Sequence, residues 1–296
     1  MVLSTAVWIF DTAMVGRLSA EALSAVGLGS QLAYTVTFVF AALGVGTAAM
    51  VARFTGAGEP EKVDHVAAQS FLIACVIGLF LGILNFLGAG FFFSLVMKDP
   101  RVIILGTDYM RIVSVGIVFM VPTLVLNSAL RGAGNTRLPM ISALLGNSLN
   151  ILGDYVLIFG HFGFPRLEVS GAAVATSIAQ ICGAAVTIGY VTLAKKEIKL
   201  KFKEIMKIDP RLLWQLVDLS LPASLEEFSY SGSRLISSMW IANLGTVAFA
   251  ANQVAVSAES MSFMPGYGFS IAASTLVGQN LGSKEKTLPK TVGGSP

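Results

Sequence analysis

Apolar runs long enough to cross a bilayer recur along the chain, separated by short polar breaks. A spanning helix needs about 20 mostly apolar residues, and such runs lie near 25–52, 64–94, 102–130, 138–160, 171–194, 210–243 and 247–279. A further apolar stretch, 1–16, ends at D-T-A-M-V-G. It is too short to span comfortably and reads as the second half of a helix. The pattern predicts an all-α polytopic membrane protein with both termini on the same side of the membrane.

Composition removes the soluble alternatives. Charged residues are 12% and hydrophobic residues 54%, with a mean hydropathy of +0.75. Soluble proteins carry about 25% charged residues, so too little polar surface remains to wrap a soluble globule. Soluble enzymes, nucleic-acid binders and disordered scaffolds are excluded on that ground. Cys75 and Cys182 sit inside apolar runs and suggest neither a disulfide framework nor a metal knuckle. No segment pairs a nucleophile with a base, and His65 and His161 fall in loops on opposite sides, so no enzyme is expected. Met1 opens into an apolar stretch without a basic leader, so no cleavable signal peptide is expected.

The net charge of +3 matters only once it is mapped onto the loops. Of the 20 Lys and Arg, Arg111 and Arg234 lie within segments, and Arg17, Lys98, Arg101 and Arg166 fall on one side. The remaining 14 (20 − 2 − 4) fall on the other, which the positive-inside rule assigns to the cytoplasm together with the N-terminus. The basic amphipathic stretch 195–209 divides the chain on that face, and it is expected to rest on anionic headgroups.

An internal repeat organises the rest. Residues 44–62 lie on 268–286 without a gap, with Gly44, Ala48, Ala49, Gly58, Glu61 and Lys62 meeting Gly268, Ala272, Ala273, Gly282, Glu285 and Lys286. The offset between Lys62 and Lys286 is 224 residues, and two complete copies would need about 450, as in transporters built from repeats. The expected organisation is an N-terminal lobe at 1–194, a cytoplasmic linker at 195–209, a partial second lobe at 210–282 and a polar tail at 283–296. On that arithmetic the chain is expected to be a fragment that does not transport by itself.

Ionisable groups inside spanning segments are costly and mark function by default. Asn147, Asn150 and Asp154 sit at i, i+3 and i+7 of the segment 138–160, on one helical face. Such a stripe must face an interior cavity rather than lipid. Depth links it to other groups. Asp154 lies six residues before Gly160, Asp11 five before Gly16, and Thr176 five after Gly171, which places all three roughly 8–9 Å below the outer mouth. Two carboxyls, amides and a hydroxyl at one depth suit a proton or a hard cation such as Na⁺. Asp11 falls on Ser237 in the second copy, so the acid is not required merely to build the fold.

Further polar residues are candidates for a substrate path or for structural charge pairing. Glu226, Glu227 and Arg234 share the segment 210–243, and Glu259 lies on the next. Arg234 is expected to meet an acid on another helix, with Glu259 the nearest candidate. Tyr34, Met261 and Met264 are candidates to line an apolar substrate cavity, alongside Phe38 and Phe263. Pro122 and Pro222 fall within segments.

Several ordered motifs resemble the multidrug and toxic compound extrusion (MATE) family. They are D-T-A-M-V-G at 11–16, A-R-F-T-G-A-G-E at 52–59, R-G-A-G-N-T-R-L-P at 131–139, N-I-L-G-D-Y at 150–155, G-A-A-V-A-T at 171–176 and F-M-P-G-Y-G-F-S…L-V-G-Q-N-L-G at 263–282. The DinF-like branch is the most similar. The resemblance implies two six-helix lobes around a central cavity, in a monomeric, multi-pass cell-membrane protein without a cofactor. It implies export of amphipathic, often cationic, compounds against inward Na⁺ or H⁺ flow. It also places the cation site at Asp11, Asn150, Asp154, the carbonyl of Ala172 and Thr176. A lipid-linked oligosaccharide flippase of the same superfamily and a non-transporting membrane remnant are the competing expectations.

Overall fold

The computed structural model describes residues 10–97, 99–193, 197–200, 208–243 and 246–287. Expectations for residues 1–9, for most of the 195–209 linker and for the tail beyond 287 lie outside the described residues. Every long element is an α-helix: α1 at 10–16, α2 Ala20–Ala41, α3 Leu43–Gly56, α4 Pro60–Val96, α5 Pro100–Gly132, α6 Arg137–Phe159, α7 Glu168–Leu193, α8 Pro210–Asn243 and α9 Thr246–Thr287. Among the described residues α4, α5, α6 and α7 are each long and apolar enough to cross a membrane. The apolar run 25–52 is not one element, because the helix is interrupted at Ala42. Pro122 and Pro222 lie inside α5 and α8, which continue through them.

Local chemistry sets the helix ends. Pro60, Pro100 and Pro210 open α4, α5 and α8, where the missing N–H costs nothing. Asp99 and Asp209 precede two of these prolines and accept backbone N–H bonds from Arg101 at 2.8 Å and Arg211 at 3.0 Å. Ser19 caps α2 in the same way through the Ala22 N–H. Gly134 (φ +91°) follows α5 and Gly160 (φ +75°) follows α6, in a backbone region that side chains disfavour.

The chain divides into two compact units. The first takes its described residues from Met1–Ala41, Phe71–Leu126 and Arg137–Ala194. In it Phe93, Ala89 and Met110 form a buried cluster flanked by Leu28, Phe92 and Ile103. Tyr109 is fully buried beside Gly29, where a Cβ would approach its ring to 2.8 Å, and it shares a 2.8 Å hydrogen bond with Ser30. Many large apolar side chains, including Phe80, Leu87, Phe91 and Leu95 on α4, point outward, as lipid rather than water requires.

The second unit takes its described residues from Ala42–Ser70, Asn127–Thr136 and Lys195–Pro296. Here the two repeat copies touch each other directly. A Cβ on Gly56 of α3 would run into the Gln279 carbonyl of α9, and one on Gly282 would run into the Arg53 carbonyl. Only glycine allows helix backbones this close. Gln279 also donates its amide to the Gly132 carbonyl at 3.1 Å.

The described parts of the linker pack against the second unit. Ile198 is buried, the Lys199 N–H donates to Asp64 at 2.7 Å, and Asn135 donates to Glu197 at 3.1 Å. Asp209 donates its N–H to Gln69 at 3.3 Å, and its carboxylate lies 3.7 Å from His65. The linker's polar groups are met by α4 and by the 133–136 turn, which a reading of charge alone does not reveal.

Candidate cation site

The site is built on the α6–α7 hairpin of the first unit. Gly160 reverses the chain after α6, and the Leu167 N–H donates back to the Leu157 carbonyl at 2.9 Å. The two helices then run antiparallel at close range. A Cβ on Gly171 would sit 2.6 Å from the Leu157 carbonyl, and one on Gly153 would sit 2.9 Å from the Ala175 Cβ. Deeper along the same seam Ser142 donates to the Gly183 carbonyl at 3.0 Å, and Thr187 donates to Ser142 at 3.2 Å. Small residues draw the backbones together, and polar side chains cross between them.

At this seam Asn150 donates its amide to the Thr176 hydroxyl at 3.2 Å. One turn along α6, Asp154 is only 1% exposed. Asp11 on α1 lies close enough for the two carboxyls to interact electrostatically. The Oδ1 atoms of both are shut off from solvent without a hydrogen-bond partner. A buried acceptor left unpaired costs about 1–3 kcal/mol, more when charged. Two such oxygens are relieved by a proton or by a hard cation, which prefers oxygen ligands.

The other predicted residues are placed as follows. Ala172 is buried in the first turns of α7, and Asn147 is half-buried on α6. Tyr34 accepts from the Gln180 amide at 3.1 Å, and its hydroxyl lies within electrostatic reach of Asp11 and Asp154. Glu226, Glu227, Arg234 and Glu259 belong to the second unit. Glu227 accepts from Ser231 at 3.1 Å, while Glu226 and Glu259 are exposed. Arg234 lies 5.7 Å from the centroid of the Tyr230 ring one turn away, where an acid on another helix was expected. The side chains of Met261 and Met264 lie outside the described residues. Among the described residues no cluster of three or more His, Cys, Asp or Glu occurs. The donor set is therefore mixed carboxyl, amide and hydroxyl, which suits an alkali cation better than a transition metal.

Sequence reasoning did not single out Gln180, the partner of Tyr34. The signal was its spacing, because Ala172, Thr176 and Gln180 recur every four residues along one face of an apolar segment.

Comparison with known proteins agrees with this architecture. The MatE family model matches residues 1–156 and 222–294. The chain belongs to the MatE family, that of the MATE transporters. It is 33% identical over 280 residues to a probable multidrug resistance protein NorM of Thermotoga maritima, a match covering 94% of this chain and 60% of the relative. Its fold is similar to an outward-facing multidrug resistance MATE family transporter of the MOP superfamily, with a TM-score of 0.85 at 25% identity, over 97% of this chain and 63% of the other. A MATE protein crystallised in complex with MaL6 gives a TM-score of 0.88 at 25% identity, over 96% and 63%. The chain thus spans about three fifths of the length of the relatives it matches.

Proposed function

We propose that the whole protein is a secondary antiporter of the cell membrane that exports amphipathic or cationic compounds in exchange for Na⁺ or H⁺. The observation that carries this reading is the burial of unpartnered carboxyl oxygens on Asp11 and on Asp154, the latter one helical turn from the Asn150–Thr176 bond. Family membership supports transport, and the multidrug resistance described for the relatives supports the substrate class.

In this reading Asp11, Asn150, Asp154, Thr176 and the Ala172 carbonyl hold the coupling ion. Binding that ion removes the penalty on the two orphaned oxygens and so favours the closed arrangement of α1 against α6 and α7. The compound to be exported favours the alternative, and each ligand biases one two-state equilibrium. The 14 basic residues assigned to one face support a cytoplasmic N-terminus. No further subunit is needed for this scheme, so the transporter acts as a monomer.

The test is efflux of a fluorescent cationic compound from a pump-deleted host expressing the reading frame as its source DNA encodes it. Asp11→Asn and Asp154→Asn should each abolish efflux driven by an ion gradient while leaving the protein in the membrane. Undiminished efflux in both variants would remove the site assignment.

A further inference from the structure

Three side-chain atoms in the first unit are buried without a partner among the described residues: Asp11 Oδ1, Asp154 Oδ1 and Gln180 Oε1. All three are oxygen acceptors, and no orphaned donor sits among them. Buried acceptors without a partner are relieved by positive charge. The two carboxyls belong to the site already described. Gln180 does not, and its position is specific. It lies on α7 one turn inward from Thr176, a rise of about 6 Å. Its amide nitrogen is committed to the Tyr34 hydroxyl at 3.1 Å, which fixes the side chain and leaves the oxygen as the free end. Tyr34 in turn lies within the field of both carboxyls. Space for the carboxamide is made by Gly116 on α5, where any Cβ would collide with Gln180 Oε1.

We infer that Gln180 is an additional oxygen ligand of the coupling cation, placed inward of the Asp11–Asp154 pair, and that it determines the preference for Na⁺ over H⁺. The chemistry separates the two ions. A carboxylate accepts either a proton or a metal cation, but a neutral carboxamide is too weak a base to be protonated and still offers a hard oxygen to Na⁺. A site of carboxyls alone can be satisfied by protons. Adding a held amide oxygen favours a dehydrated cation that takes several oxygens at once. This inference rests on the carboxyl-site reading, and the experiment separates the two.

The protein expressed from the reading frame as its source DNA encodes it is reconstituted in nanodiscs, and both radioactive sodium binding and proton uptake are measured, each as a function of pH. Gln180→Leu should weaken sodium binding about tenfold, the scale of one lost ligand contact, with proton uptake unchanged. Gln180→Glu keeps an oxygen in place, so sodium binding should persist and become more steeply dependent on pH. Asp154→Asn should abolish sodium binding and remove a proton from the uptake curve. If Gln180→Leu binds sodium as the unsubstituted protein does while Asp154→Asn does not bind, the amide is no ligand and the carboxyl site stands. If Gln180→Leu is weakened while Asp154→Asn is unaffected, Gln180 is kept and the carboxyl reading falls. Equal losses of sodium binding and proton uptake in Gln180→Leu would reduce the residue to a structural role and overturn the inference. Absence of sodium binding in the unsubstituted protein overturns both.

Discussion

The Asn150 amide and the Thr176 hydroxyl meet at 3.2 Å, tying α6 to α7 one helical turn from the buried Asp154. The bond holds two elements of the candidate site in register, and it does so with groups that also carry free oxygen lone pairs. Thr176→Val removes the hydroxyl at nearly constant volume. It should cost about 0.5–1 kcal/mol in reversible unfolding from mixed micelles and weaken cation binding, while Thr176→Ser restores both. Unchanged cation binding in Thr176→Val would show that the hydroxyl is only a strut.

Gly171 tests how far the site depends on the closeness of the two helices. Its Cβ would sit 2.6 Å from the Leu157 carbonyl, and backbone cannot move aside as a side chain can. Gly171→Ala should therefore destabilise by about 1–3 kcal/mol and reduce cation binding, although residue 171 carries no ligand. Thermal unfolding in detergent with a sodium-binding assay measures both.

The contact between the two repeat copies should be equally intolerant. Gly282→Ala drives a methyl into the Arg53 carbonyl, and a loss of about 1–3 kcal/mol follows from overpacking. Ser283→Ala next to it, an exposed position, should leave thermal unfolding unchanged. Equal behaviour of the two variants would mean that the helices separate without cost.

The start of α8 should loosen in acid. The N–H groups of Leu212 and Arg211, with His65 adding its charge, hold the Asp209 carboxyl below its ordinary value of 3.8. A lowered folded value means that the cap contributes fully above the unfolded value and is lost as pH falls through the folded one. Hydrogen exchange at Arg211 and Leu212, corrected for the intrinsic pH effect, should rise as the medium is taken into that acid range. Asp209→Ala should show the faster exchange already at neutral pH.

The sequence by itself determined the class of protein and nominated candidate residues for its site. Hydropathy marks the spans because a helix facing lipid needs an apolar exterior, and α4, α5, α6 and α7 fall where the runs 64–94, 102–130, 138–160 and 171–194 put them, whereas 25–52 is two helices. The face shared by Asn147, Asn150 and Asp154 follows from helical periodicity alone, so it was legible without coordinates. Matching depth put Asp11, Asp154 and Thr176 at one level, because rise per residue is fixed.

Only the tertiary structure decided which neighbours those groups have. Periodicity gives a side chain its face but not the element opposite, so neither the Gln180–Tyr34 bond nor the room left by Gly116 could be read from spacing. The same holds for Arg234, whose charge called for an acid and found the Tyr230 ring on its own helix. Repeat matching aligned Gly58 with Gly282 but did not reveal that the two copies touch, since an alignment records likeness and not contact. The linker's basic charge says nothing of the hydrogen bonds that its Lys199 and Asp209 N–H groups donate to Asp64 and Gln69, which hold its described ends against protein. Composition and period are properties of a segment, whereas partnership depends on how segments pack, and that is settled only when the chain is folded.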